Sequence, residues 1–142
     1  MSAEGAVETA LRALRHRDLS AAELERRLAG RGFAEDERVA ALATLRRTGL
    51  VDDRRFAESR AAALADRGAG DALIRHDLEE AGVDSELVSD AVGLLDLEPE
   101  RARRIVERRG PDARTARYLA SKGFSEETVL AVVAPGANGE LG

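Results

Sequence analysis

Apolar residues recur at helical spacing along the whole chain, and the recurrence itself repeats. A Leu-x-x-x-Gly-Phe/Val string occurs three times: Leu28 to Gly32-Phe33, Leu78 to Gly82-Val83 and Leu119 to Gly123-Phe124. Eighteen residues ahead of each anchor glycine stands an aliphatic residue, Leu14, Leu64 or Ile105. Behind each glycine runs a further apolar stretch. In the first unit it is Val39, Leu42 and Leu45; in the second Leu87, Val88, Val92 and Leu95; in the third Val129, Leu130, Val132 and Val133. Each unit therefore carries three apolar stripes, the middle one ending at a glycine. Intervals of 50 and 41 residues separate the anchors, in or near the range of helical repeat arrays. The pattern predicts an all-α chain of nine helices in three tandem units, 1–50, 51–97 and 98–134, followed by a disordered tail over 135–142.

Start and stop signals support that division. The first helix is expected over about 6–16 on Val7, Ala10, Leu11 and Leu14. Ser20-Ala21-Ala22-Glu23 reads as a capping box for the second, which carries Leu24 and Leu28. Asp52 and Asp53 read as caps of the fourth helix, which bears Phe56, Ala57, Ala61 and Leu64. Gly68-Ala69-Gly70 breaks that helix, and Leu73, Ile74 and Leu78 line the fifth. Asp84 caps the sixth, Pro99 fits the first turn of the seventh, and Gly110-Pro111 closes it. The eighth is expected over about 112–122, and Ser125 caps the ninth. Phe33, Phe56 and Phe124 read as core, and Tyr118 as either core edge or contact surface.

Composition narrows the function. The 142 residues include no cysteine, which excludes disulfides, thiolate catalysis and cysteine zinc sites. No apolar run approaches the roughly 20 residues of a membrane span, and the N-terminus shows neither the basic nor the apolar region of a signal peptide. A cytoplasmic protein is the expectation. The net charge of −5 is distributed unevenly: +1 over 1–50, −7 over 51–97 and +1 over 98–142. An acidic middle between arginine-rich flanks disfavours indiscriminate DNA binding and suits a protein or nucleoprotein partner.

No candidate chemistry rises above this background. His16 and His76 lie in different repeats, and neither has a second ligand at helical spacing, so no metal site is expected. Gly68-Ala69-Gly70 lacks the Lys-Ser/Thr follower of a phosphate loop. No nucleophile–base pair or cofactor loop is present, which predicts a non-enzyme without cofactors. Helix pairs such as 20–31 before 35–47 admit a helix-turn-helix-like DNA-binding protein as an alternative, and an unrelated helical scaffold as a third reading.

The ordered motifs resemble those of the RecX regulatory proteins. Gly49-Leu50-Val51-Asp52-Asp53-Arg54-Arg55-Phe56-Ala57 is similar to that family's Gly-aromatic-Leu-Asp-Asp-x-x-Phe-Ala string. Ile74, Leu78 and Gly82-Val83 follow its Ile-x-x-Glu-Leu-x-x-x-Gly-Ile block, and 116–125 fits its closing unit. The resemblance covers about residues 6–134. It implies an elongated, curved array of three three-helix units, a monomer, that lies in the groove of the filament RecA recombinase forms on single-stranded DNA. It implies suppression of filament growth, ATP turnover, strand exchange and stimulated repressor self-cleavage, with direct DNA contact weak at most. Three departures stand out: Leu50 replaces the usual aromatic, Arg60 stands where an aromatic is common, and the middle unit is unusually acidic.

The same resemblance gives the arginine-rich faces a role. Arg101, Arg104 and Arg108 fall on one flank of the seventh helix, with Arg109, Arg114, Arg117 and Lys122 nearby. Arg15, Arg26 and Arg27 form a smaller set in the first unit. They are either partner-binding faces, for acidic RecA surfaces or filament DNA, or solvated helix faces with local acidic partners. Asp52, Asp53, Phe56, Ala57, Ile74, Leu78 and Gly82 are expected to serve the fold.

Overall fold

The computed structural model describes residues 1–139, with side chains through 133. Those residues form helices and no strand. The first unit holds α1 (Ala3–Leu14), α2 (Ala21–Gly30) and α3 (Glu35–Arg47); the second α4 (Asp53–Asp66), α5 (Asp71–Glu80) and α6 (Ser85–Gly93); the third α7 (Glu98–Arg109), α8 (Ala113–Ser121) and α9 (Glu126–Gly139). The expected tail begins inside α9; its side chains, and the whole of residues 140–142, lie outside the described residues.

The repeated string has one physical cause. At each copy the residue after glycine donates its N–H to the carbonyl of the leucine five positions back: Phe33 to Leu28 at 3.2 Å, Val83 to Leu78 at 3.1 Å, Phe124 to Leu119 at 3.1 Å. Gly32, Gly82 and Gly123 take φ of 91°, 80° and 90°. This is the left-handed helix stop that satisfies otherwise orphaned carbonyls, and its apolar flanks pack together. Leu28, Leu78 and Leu119 are fully buried, with Phe33, Val83 and Phe124 buried against them.

In each unit the first helix packs along the third, α1 on α3, α4 on α6 and α7 on α9, with the middle helix against the pair. The result is three separate apolar cores, centred on Leu24, Leu28 and Leu45, on Phe56, Ile74 and Leu78, and on Ile105, Leu119 and Phe124. Each fully buried aliphatic side chain contributes about 1.5–3 kcal/mol. A three-helix unit of this size buries too little on its own, so contacts with its neighbours matter. No hydrogen bond or ion pair among the described residues joins the first unit to the third. The array is serial and elongated.

Three residues expected in apolar stripes face water. Val39 is 59% exposed and Leu130 55%, because α3 and α9 bury a narrower stripe than the sequence suggests, with Ala41, Leu42 and Leu45 filling it in α3. Leu73 is 37% exposed and lies over Gly123 instead of entering the core with Ile74. The first helix also starts earlier than its apolar spacing implies, because Ser2 caps it through the Gly5 N–H at 3.0 Å, and it ends at Leu14.

Candidate partner-binding faces and the joints between units

The arginine row of α7 is divided by its own helix. Arg101 is only 7% exposed, so it leaves the expected surface set. Its Nε donates to the Asp96 carbonyl at 2.9 Å, its Nη1 to the Ala69 carbonyl at 2.9 Å, and its Nη2 to the Asp71 carboxylate. Its guanidinium also stands 5.9 Å from the Phe124 ring centre. The first turn of α7 packs against the second unit, and there a guanidinium with each of its nitrogens hydrogen-bonded satisfies the Ala69 and Asp96 carbonyls.

Further along, the helix emerges. Arg104 is exposed and pairs with Asp96 at 2.6 Å. Arg108 is exposed and has no ion pair among the described residues. Both border a groove of about 380 Å³ with Ala62, Ala65 and Ile105 in its wall. Arg109 lies 3.7 Å from the ring centre of Tyr118, which is half-buried at the edge of the third core. Arg114 and Arg117 are exposed, and Lys122 is half-buried.

In the first unit Arg15, Arg26 and Arg27 are exposed. Arg26 reaches across to the Glu80 carbonyl at 3.1 Å. Arg26 and Arg27 line a second cleft together with Arg17, Glu23 and the Arg60–Asp77 pair. Arg60 makes two contacts with Asp77 (2.9 and 3.4 Å) and lies 5.6 Å from the Phe56 ring centre. The fourth and fifth helices are thus joined by a partly buried ion pair.

The two arginine clusters flank two joints of the same construction. At the first, the Asp53 carboxylate, on the first residue of α4, accepts the N–H of Ala21, the first residue of α2, at 2.8 Å. At the second, the Glu98 carboxylate, on the first residue of α7, accepts the N–H of Asp71, the first residue of α5, at 2.7 Å. In both, the anchor glycine of the following unit sits against the start of the preceding middle helix: Gly82 against Ala22, and Gly123 against Gly70 and Leu73. Any β-carbon on Gly123 would lie 2.6 Å from the Leu73 nitrogen, and one on Gly70 would run into the Gly123 backbone.

The remaining contacts differ. At the first joint the buried Ser20 hydroxyl accepts the Glu23 N–H at 3.1 Å and donates to the Ala81 carbonyl at 2.6 Å. At the second, Gly70 donates to the Lys122 carbonyl at 2.7 Å and Ala72 to the Gly123 carbonyl at 3.2 Å. Glu98 also accepts from the Ser125 N–H at 3.2 Å and the Thr128 hydroxyl at 2.7 Å, so one carboxylate ties α5, α7 and α9. Burial pushes the Glu98 carboxyl up, but the bonds from Thr128, Asp71 and Ser125 outweigh it and hold the group below the ordinary glutamate value.

The tandem aspartates therefore divide the work. Asp52 caps α4 through the Arg55 N–H at 3.1 Å, as expected, whereas Asp53 caps α2 in the preceding unit. Phe56, Ala57, Ile74 and Leu78 are buried in the second core. Glu98 gave no signal in the sequence, since a glutamate before proline reads only as a helix start. Among the described residues no group of three metal-ligating side chains is assembled, and no helix is long and apolar enough to cross a membrane.

Known proteins carry the same array. Residues 52–92 match the family model described as RecX, second three-helix domain. The chain is 35% identical over 133 residues to the regulatory protein RecX of Stenotrophomonas maltophilia, covering 87% of this chain and 82% of the relative. It is 36% identical over 131 residues to that of Chromohalobacter salexigens, covering 86% of each. The crystal structure of RecX from Lactobacillus salivarius superposes with a TM-score of 0.79 at 21% identity, over 94% of this chain and 95% of that one. Relatives more than 30% identical over most of both chains, together with the family-model match across the second unit, place this chain in one family: the RecX regulatory proteins.

Proposed function

We propose that this chain regulates the RecA recombinase, binding as a monomer along the groove of the RecA filament on single-stranded DNA in the cytoplasm. There it inhibits ATP turnover, strand exchange and stimulated repressor cleavage. It acts by binding, without a cofactor or chemistry of its own. The observation that carries this reading is the match to curated RecX proteins over 87% of the chain.

The geometry supports it. Three units tied in series present separate faces along the chain, so that modest contacts to more than one filament subunit would add through effective concentration. The exposed arginines lie beside both joints, Arg26 and Arg27 at one and Arg104 and Arg108 at the other. The acidic second unit between them disfavours tracking along bare DNA. Occupancy of the groove would block subunit addition and entry of the second DNA.

The test is single-strand-dependent ATP hydrolysis by the cognate RecA with this protein titrated in. Inhibition at substoichiometric amounts supports the reading. A folded helical sample without effect at any ratio sinks it, and tight, steeply salt-dependent binding to bare DNA would put a DNA-binding role in its place.

A further inference from the structure

We propose that Asp53 and Glu98 are the positioning residues of the array, each fixing the angle between one unit and the next and hence the spacing at which the two arginine faces meet a partner. The functional half of this statement rests on the RecA reading; the structural half does not.

The buried apolar side chains form three separate clusters, one to a unit, so the relative orientation of the units rests on the contacts at the joints. Orientation falls to the joints. There the ionised carboxylates make charge-assisted bonds to helix N-termini, which are both stronger and more directional than apolar contact. The same element pair is used twice: the leading helix of one unit caps the middle helix of the unit before it. A helix start satisfied from within its own unit would leave the joint with only its remaining bonds to resist rotation. Satisfied from the next unit, it indexes the two units to each other. The anchor glycines let the backbones close to the distance this bond needs.

The two joints differ in how many contacts the carboxylate holds. Asp53 serves one N–H with one oxygen. Glu98 serves donors on both oxygens, Asp71 on one and Ser125 and Thr128 on the other. An amide can replace the first but not the second, since one of its two heteroatoms is itself a donor. Asp53→Asn should therefore preserve the first joint, Asp53→Ala should loosen it and Glu98→Gln should already loosen the second, the units staying tethered by the bonds that remain, Ser20 to Ala81 at the first and Gly70 to Lys122, Ala72 to Gly123 and Arg101 to Ala69 at the second.

The chain has no cysteine, so pairs of spin labels can be placed on introduced cysteines without background. The exposed positions Ala43 and Glu86 report across the first joint, and Glu86 and Ala120 across the second. Asp53→Ala should broaden only the 43–86 distance distribution, Glu98→Gln only the 86–120 distribution, and Asp53→Asn neither, all with helicity retained. Each loosened joint should raise the concentration for half-inhibition of RecA ATP hydrolysis by about tenfold, as rigid bivalency is lost. Unchanged distributions in Asp53→Ala and Glu98→Gln overturn the proposal, as do broadened ones with unchanged inhibition. If the unsubstituted protein leaves RecA untouched, the RecA reading falls and the distances alone decide whether the carboxylates set the angles. Should Glu98→Gln lose helicity, the Asp53→Ala and Asp53→Asn pair carries the test at the smaller joint.

Discussion

Asp53 caps a helix that is not its own: its Oδ1 accepts the N–H of Ala21, thirty-two positions earlier in the chain, at 2.8 Å. A carboxylate in the first turn of α4 would ordinarily be credited to α4. Here its neighbour Asp52 fills that place, which frees Asp53 to hold the first unit against the second. A motif that reads as a redundant pair of caps thus has one cap and one tie.

Removing the buried guanidinium at the second joint should cost more than removing its exposed neighbour. Arg101→Ala leaves the Ala69 and Asp96 carbonyls without their donor and Asp71 without its partner, so a loss of about 2–4 kcal/mol is expected. Arg104, paired to Asp96 at the surface, should cost under about 0.5 kcal/mol when truncated. Urea denaturation of the two variants checks the order; equal losses would mean that Arg101 is not the buried tie described.

Gly70 separates steric from conformational reasons for glycine. Its φ of −84° suits any residue, so only the missing side chain matters. Gly70→Ala drives a β-carbon into the Gly123 carbonyl group and should destabilise by about 1–3 kcal/mol. Gly93→Ala, at the end of α6 with open space around it, should be neutral or stabilising by up to about 1 kcal/mol. Thermal melts of both variants decide it, and a silent Gly70→Ala would show that the joint is looser than its backbone hydrogen bonds imply.

Acid should loosen the second joint through Glu98. Its folded carboxyl titrates below its unfolded value, so the stabilisation is complete above the unfolded value of about pH 4.3. It is lost as the pH falls through the depressed folded value. Glu98→Gln should therefore flatten the acid limb of the stability curve and leave stability nearly independent of pH from 6 to about 8, where the carboxylate is ionised in both states. Denaturant midpoints measured from pH 3 upward, with and without the substitution, test the sign; an acid limb unchanged by Glu98→Gln assigns it to other carboxylates.

The sequence exposed what is local and hid what is not. Leu28, Gly32 and Phe33 form a helix stop whose backbone hydrogen bonds lie within six residues, and such stops recur as visible strings. Ser20-Ala21-Ala22-Glu23 was equally readable as a capping box, but its hydroxyl's second bond, to Ala81, leaves no mark in the local pattern. Arg101, Arg104 and Arg108 share a flank by spacing alone, and nothing in that spacing reveals that the first turn of α7 is enclosed by Ala69, Asp71 and Asp96. Val39 shows the converse: helical period marks an apolar face, while the width of that face is set by the neighbouring helix.

With Arg101 withdrawn into the joint, the cationic face of the third unit reduces to a smaller and sharper target. Arg104 and Arg108 are one turn apart on the same wall of the groove, and Arg108 has no carboxylate partner among the described residues. Arg104→Glu/Arg108→Glu should raise the concentration for half-inhibition of RecA ATP hydrolysis by about tenfold or more, mainly through slower association and a changed salt dependence. Helicity and melting temperature should hardly move, since exposed charges contribute little to folding. Arg26→Glu/Arg27→Glu offers the matching test at the other end of the bar, although Arg26 also bonds the Glu80 carbonyl, so its effect mixes binding with joint geometry. Inhibition unchanged by the first double substitution would remove that face from the interface; inhibition lost only with the second would place the main contact in the first unit.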